Sequence, residues 1–306
     1  MIRTGIIGMS SGNAHPYSWS AIINGVFDGE EITRVGYPGV TAYLHANQDT
    51  LGIPAARVTH VWAQSADIAE SIASAAGIPH VAARLEDMIG QVDAVILARD
   101  DPEHHREMAE PFISAGIPIF IDKPLTISRD DLAWFTEQVA KGRFIMSCSS
   151  MRYAAECSSA RANLHTLGPI ELVTAVGKKD WVKYGVHMLE AVFALLNDPR
   201  PLAVTHTGKA GQDMVTLEFE NGVRAGIHLF MDITPTFQLS VFGHNGWRLV
   251  EMTNFYAMFR DNIIEFIRSV QEGKPRLPFE KTAAIIHTLI AARESLEQGG
   301  KKIHLK

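Results

Sequence analysis

In the first half of the chain, short runs of β-branched and apolar residues alternate with stretches whose apolar positions recur every three or four residues. That alternation predicts βαβ units and a parallel sheet. Strands are predicted at 2–8, 58–63, 94–98, 117–121 and 144–148, with helices at 16–27, 66–76, 103–115 and 129–141. The first helix opens on Pro16 and carries Trp19, Ile22, Ile23 and Val26 at helical spacing. A doubly wound parallel sheet is the economical arrangement of such a series. From about residue 151 longer alternating strands take over, at 170–176, 214–219, 223–230 and 237–242, the middle pair joined by the hairpin signal Glu220-Asn221-Gly222. Amphipathic helices follow at 255–271 and 282–298. The fold class is therefore α/β, with a parallel-sheet domain over 1–150 and an α+β domain with a large, mostly antiparallel open sheet over 151–306. Between 29 and 57, Gly36, Pro38, Gly39, Gly52 and Pro54 punctuate a stretch too long for an ordinary αβ connection. It reads as an insertion, and insertions of that size often serve binding.

Composition narrows the function. The 306 residues are 46% hydrophobic and 20% charged, with a net charge of −6, so the chain can build a sizeable core. No run of basic residues favours nucleic acid or an anionic bilayer as partner. No stretch is apolar for long enough to span a membrane, and the opening MIRTGIIGMSSG has no signal-peptide pattern, so a cytoplasmic location is expected. Cys148 and Cys157 are too few for a disulfide framework and lack zinc-site spacing.

Candidate chemistry begins directly after the first strand, at Gly8-Met9-Ser10-Ser11-Gly12-Asn13. A glycine loop between strand and helix is where a dinucleotide pyrophosphate meets backbone N–H groups and the positive end of a helix. Against the usual GxGxxG, Ser10 and Asn13 stand where glycine or a small residue is expected, and a plain tight turn is the competing reading. The second strand ends in Ala63-Gln64, without the acid that holds adenosine ribose hydroxyls. Gln64 or Ser65 is left as a ribose partner, and no Arg follows that strand to meet a 2′-phosphate. Asp100, Asp101, Glu103, His104 and His105 have metal-ligand chemistry on paper, but an acidic helix start explains them and no metal is expected.

Three further tracts carry a resemblance. They are Asp93-Ala94-Val95-Ile96-Leu97-Ala98 with His105 beyond it, then Gly116-Ile117-Pro118-Ile119-Phe120-Ile121-Asp122-Lys123-Pro124, then Gly185-Val186-His187. Together with Arg152, Leu167-Gly168-Pro169-Ile170 and the closing Gly273-Lys274-Pro275 between two helices, they resemble the Gfo/Idh/MocA oxidoreductases over nearly the whole chain. The family tract usually reads Glu-Lys-Pro where this chain has Asp122-Lys123-Pro124, and Asp-x-Gly-x-His where this chain has Lys183-Tyr184-Gly185-Val186-His187.

The resemblance implies a Rossmann domain holding NAD or NADP, followed by a domain whose open sheet supports a homo-oligomer, a dimer or a tetramer. It implies that Lys123 lies between nicotinamide and substrate and that His187 is the acid/base, with Lys183 beside it as a cation in place of the family's carboxylate. Gly8 to Asn13, Gln64, Ala98, Arg99 and Lys123 are then the cofactor residues, with Ala98 and Arg99 beneath the nicotinamide side. His15, Lys123, Arg152, Lys183 and His187 are the substrate residues, Arg152 as a carboxylate clamp or an interdomain ion pair. The convergence of Lys123, Lys183 and Arg152 predicts an anionic substrate such as a sugar acid. The implied activity is hydride transfer to or from a sugar, cyclitol or sugar-acid carbon. A non-catalytic relative that binds a nucleotide or sugar, and a lyase or hydrolase that recycles its nicotinamide, stand as alternatives.

Overall fold

The computed structural model describes residues 1–305. Its chain divides into two compact units, the first comprising Met1–Thr126, Asp130–Ser147 and Phe259–Phe279, the second Ile127–Arg129, Cys148–Met258 and the chain from Glu280 onwards. The expected division into 1–150 and 151–306 thus separates the two sheets but misplaces 259–279, which returns to the first unit. The cause is aromatic packing. The Phe266 ring lies 5.7 Å from Phe120 and 6.4 Å from Phe144, while Phe259 sits 5.2 Å from His15.

In the first unit, β1 (Ile2–Ile7), β2 (Ala56–Trp62), β3 (His80–Val81), β4 (Ala94–Leu97), β5 (Ile119–Ile121) and β6 (Ile145–Ser147) form a parallel sheet in the order β3-β2-β1-β4-β5-β6. Every residue of β4 and β5 is buried, as a parallel sheet covered on both faces demands. The crossover helices are α1 (His15–Asn24), α4 (Ala66–Ala76) and α5 (His105–Ser114), with α6 (Arg129–Ala140) between β5 and β6. Because β2 and β4 lie on opposite sides of β1, the strand order reverses there, and the carboxyl ends of β1, β4 and β5 open onto the crevice where such sheets bind ligands.

The insertion is folded rather than a loop. It forms α2 (Gly29–Arg34) and α3 (Pro38–Ala46). Asp28 caps α2, accepting the backbone N–H groups of Glu30 and Glu31 at 3.0 Å each. Ile32 and Leu44 are fully buried, and the Tyr43 hydroxyl donates to Ser18 of α1. The insertion therefore braces α1, the helix that follows the glycine loop.

In the second unit, β7 (Ile170–Lys178), β8 (Pro201–His206), β9 (Gln212–Phe219), β10 (Arg224–Phe230), β11 (Phe237–Gly243), β12 (Gly246–Glu251) and β13 (Ile303–His304) form a sheet in the order β12-β11-β7-β10-β9-β8-β13. Among the described strands of this sheet only the β7–β10 pair is parallel. The mostly antiparallel sheet is as expected, although β8, β12, β13 and the helix α7 (Ala155–Ala162) lie outside the predicted elements. Helix α8 (Trp181–Leu195) packs on β7 and β10. Its start is held by two carboxylates: Asp180 accepts the Lys183 N–H at 3.1 Å, and Asp213 the Trp181 N–H at 2.9 Å. The chain closes with α9 (Phe255–Glu272) and α10 (Phe279–Glu297). Among the described residues no helix is long and apolar enough to cross a membrane.

Gly185 in the His187 tract serves packing. A Cβ there would lie 2.8 Å from the Trp181 ring and 3.0 Å from Leu289 of α10, and the same indole donates to the Leu289 carbonyl at 3.0 Å. Gly185→Ala is expected to lower stability by about 1–3 kcal/mol in chemical denaturation, since the indole must shift and strain that hydrogen bond. A variant as stable as the parent would show that the indole has room to move.

Candidate active site

Two carboxylates organise the crevice edge of the first unit. Asp122, immediately after β5 and 1% exposed, accepts from Asn13 Nδ2 at 3.1 Å, faces His15 Nδ1 at 2.5 Å, and accepts the backbone N–H of Lys123 at 2.7 Å. It ties the glycine loop and the start of α1 to the end of β5. Burial pushes the Asp122 carboxyl up, but His15 and Lys123 outweigh it and hold the group at about 2. Asp100, after β4, accepts from the Ser10 hydroxyl at 2.5 Å while its own N–H donates to Ser10 Oγ at 3.0 Å. Its other oxygen lies 3.5 Å from Lys123 Nζ.

Arg99 runs the other way. Its Nη1 donates to Gln64 Oε1 at 3.0 Å and to the Met9 carbonyl at 3.3 Å, and its guanidinium pairs with Asp101. Gln64 in turn accepts the Met9 N–H at 2.9 Å and donates to the Met9 carbonyl at 2.7 Å. Arg99 thus reaches toward the end of β2, away from Lys123. This corrects its expected place on the nicotinamide side, and it sets a cation at the end of β2, where local sequence shows none. Ala98 is fully buried. The ring nitrogens of His105 lie 2.9 and 3.0 Å from the carbonyls of Arg99 and Leu125. His105 therefore braces the segments that follow β4 and β5.

In the second unit His187 lies on α8, with its Nδ1 2.6 Å from Ser149 Oγ. The Ser149 N–H donates to Glu190 Oε1 at 3.2 Å, and Glu190 binds Arg152 Nε at 2.5 Å. Arg152 also pairs with Asp198 at 2.8 Å, and Lys281 reaches Asp198 at 2.6 Å. Burial works against the Arg152 charge, but Glu190 and Asp198 more than compensate and raise its pKa. The expectation that Arg152 clamps a substrate carboxylate is therefore corrected. Both of its faces are bonded within the unit, and its work is to anchor Glu190 and, through it, the serine that holds His187. Lys183 lies one helical turn before His187 and is exposed.

Local sequence could not have shown two further groups. The Nζ of Lys179 donates to the Tyr184 hydroxyl at 2.8 Å and lies 4.4 Å above its ring. The Tyr184 ring is 4.9 Å from His187. The signal is backbone geometry, a φ of 82° at a non-glycine residue.

The glycine loop fits a dinucleotide's pyrophosphate. The Asn13 N–H closes a turn on the Ser10 carbonyl at 3.2 Å, and Ser11 and Gly12 form its exposed crest. Gly12 has a φ of 78° with open space where a Cβ would be, and the Ser10 side chain is turned inward to Asp100 instead of filling the crest. No acid lies within the first turn of α1 itself, although Asn13 Oδ1 accepts the His15 N–H at 2.9 Å and Asp122 faces the His15 ring. Ser11, Gly12 and the start of α1 are the groups that would hold the phosphates.

A doubly wound sheet with this loop at its first strand end has the layout of a dinucleotide-binding fold. Residues 2–146, a little under half of the chain, match the GFO_IDH_MocA family model, described as an oxidoreductase family with an NAD-binding Rossmann fold. The matched residues therefore carry the NAD-binding Rossmann fold of an oxidoreductase family. No curated protein sequence matches the chain. Among solved structures, a Sinorhizobium meliloti 1021 protein provisionally described as a myo-inositol dehydrogenase is 18% identical, with a TM-score of 0.79 and 100% of each chain covered. A myo-inositol 2-dehydrogenase from Lactobacillus plantarum is 16% identical, with a TM-score of 0.78, covering 100% of this chain and 99% of its own. The myo-inositol dehydrogenase of Lactobacillus casei, in complex with NAD(H) and myo-inositol, is 15% identical, with a TM-score of 0.78, covering 100% and 97%. At these identities the likeness is one of fold.

Two buried charge centres give separate tests. The folded Asp122 carboxyl lies at about 2 against an ordinary 3.8, so its stabilisation is present above the ordinary value and lost as pH falls through the folded one. Linkage puts it at about 2 kcal/mol. Urea unfolding should show Asp122→Asn less stable than the parent by that amount at neutral pH, with the gap closing as pH approaches 2. A gap independent of pH would contradict the assignment. Arg152→Met leaves two buried carboxylates short of a cation and should cost about 3–5 kcal/mol in the same assay. A loss of no more than an exposed ion pair's worth would restore Arg152 as a substrate group.

Proposed function

We infer that this chain transfers a hydride between a nicotinamide cofactor and a hydroxyl or keto carbon of a sugar, cyclitol or sugar acid. The observation that carries the reading is the fixed position of Lys123. Its backbone is held by Asp122, and its ammonium is drawn to Asp100, the carboxylate that also binds Ser10 of the glycine loop. A cation so fixed at the ligand edge of the sheet is suited to stabilise an alkoxide. NAD or NADP, when bound, supplies the hydride acceptor or donor.

The acid/base role is assigned to His187. With Nδ1 engaged by Ser149, the proton of the substrate hydroxyl is assigned to Nε2, and a neutral imidazole suits that transfer near pH 7. His15, whose Nδ1 faces Asp122, is assigned to the substrate end of the first unit, and Lys183 to the rim of the His187 site. The L. casei neighbour holds myo-inositol, which supports cyclitols as the first compounds to try. The open face of the second sheet, with Leu172, Met214, Phe242, Trp247 and Leu249 exposed, supports the homo-oligomer expected of such a domain.

One observation favours a second reading, a ligand-binding relative without turnover. Both backbone polar groups of Met9 are already taken by the Gln64 amide, which stiffens the loop before any cofactor arrives.

Reduction of NAD and NADP, followed by absorbance with inositols, hexitols and sugar acids, separates the two. Turnover of at least one class is expected. Lys123→Ala and His187→Ala should each lower kcat by about a hundredfold to ten-thousandfold with a much smaller change in KM. Absence of turnover in the parent with retained cofactor binding would select the second reading, and full activity in His187→Ala would retire its role.

A further inference from the structure

We propose that Lys179 and Tyr184 form a recognition pair for a carboxylate on the substrate, beside His187. The proposal rests on the reading of His187 as the acid/base of a carbohydrate oxidoreductase. It departs from the sequence expectation in the groups it uses, since Arg152 is consumed by Glu190 and Asp198, and Lys123 already faces Asp100.

The backbone at Lys179 is held in a conformation that side-chain-bearing residues rarely adopt, with φ 82°. Hydrogen bonds from both sides impose it: the Lys178 N–H reaches the Thr236 carbonyl at 3.3 Å, and the Lys179 N–H the Phe230 carbonyl at 3.0 Å. A lysine needs no such backbone to face water. The consequence here is that its side chain folds back over Tyr184, 4.4 Å above the ring, with Nζ 2.8 Å from the hydroxyl. Tyr184 is itself wedged. Its ring stacks on Phe237 at 5.8 Å with an interplanar angle of 10°, and stands 4.9 Å from His187.

No carboxylate answers these cations. Among the described residues, neither Lys179 nor Lys183 has an acidic side chain within ion-pair distance. Asp180, the acid nearest in sequence, is engaged on the Lys183 N–H at 3.1 Å, and Asp213 is engaged on the Trp181 N–H at 2.9 Å. The Tyr184 oxygen accepts from Lys179, so its own O–H is left to donate to an incoming acceptor. An ammonium and a hydroxyl set together offer a carboxylate two charge-assisted hydrogen bonds. A neutral polyol would gain only the weaker pair. The substrate class is therefore a sugar acid, an aldonate or uronate, with its carboxylate on Lys179 and Tyr184.

Calorimetry tests this with hexonates and hexuronates against the matching hexitols and hexoses, on the parent, Lys179→Met, Lys179→Arg and Tyr184→Phe, with NADH and NADPH binding measured on each. An acid should bind the parent about tenfold or more tighter than its neutral counterpart, and Lys179→Met should remove that margin while leaving neutral binding within about twofold. Lys179→Arg should restore most of the margin, and Tyr184→Phe should remove part of it. Neutral compounds binding as tightly as acids, or a margin unchanged in Lys179→Met, would overturn the proposal. Absence of both NADH and NADPH binding in the parent would overturn the oxidoreductase reading instead. Acid binding that follows the expected pattern without NADH or NADPH binding would leave the recognition pair standing on its own.

Discussion

The first unit depends on one buried carboxylate. Asp122 is 1% exposed, and a charge in that position is tolerable only if its oxygens are fully answered. The chain answers them from three directions: Asn13 in the glycine loop, His15 at the start of α1, and the backbone N–H of Lys123. These partners come from segments more than a hundred residues apart in sequence, so satisfying the charge brings the ends of β1 and β5 into register. Its pKa of about 2 expresses the same constraint. The ring of His15 closes on the carboxylate and is secured from its other face by stacking on Trp19 at 4.3 Å.

The second unit follows the same rule with different groups. His187 does not rest on a carboxylate directly. It rests on Ser149, whose backbone is held by Glu190, whose charge is held by Arg152, and Asp198 and Lys281 complete the set. Two cations and two anions close the balance within the unit, which is how a guanidinium can be buried at all. In both units the groups proposed for chemistry, Lys123 and His187, are held by networks of buried, paired side chains. Arg152 belongs to such a network, although its residue type suggested a substrate group.

What sequence revealed, and what it hid, follows from the range of the interactions. Strands β1, β2, β4, β5 and β6 of the first sheet and β7, β9, β10 and β11 of the second, helix α4 at Ala66–Ala76, and the placement of Lys123 at a strand end were legible because periodicity and strand–turn–helix order are local, whereas the short β3 and β13 and the strands β8 and β12 were not. The insertion was not, since Pro38 opens a helix as readily as it breaks a chain, and the capping by Asp28 shows only in three dimensions. The return of 259–279 to the first unit is set by Phe120 and Phe144, well over a hundred residues earlier. Arg99 was legible as a residue of the crevice but not in direction, because Gln64 and Asp101 decide which way it turns. Lys179 carried no signal at all, because its positive φ comes from the carbonyl of Phe230 on a neighbouring strand.

The central claim is that the loop at Gly8 to Asn13 and the lysine after β5 together serve a nicotinamide dinucleotide. Hydrogen–deuterium exchange with and without saturating NADH or NADPH tests it most directly. The predicted result is slower exchange confined to Ser11, Gly12 and the first turn of α1, together with the segment around Asp122 and Lys123, which the buried carboxylate couples to the loop. Unchanged exchange in both segments at saturating concentrations of either cofactor would contradict the account.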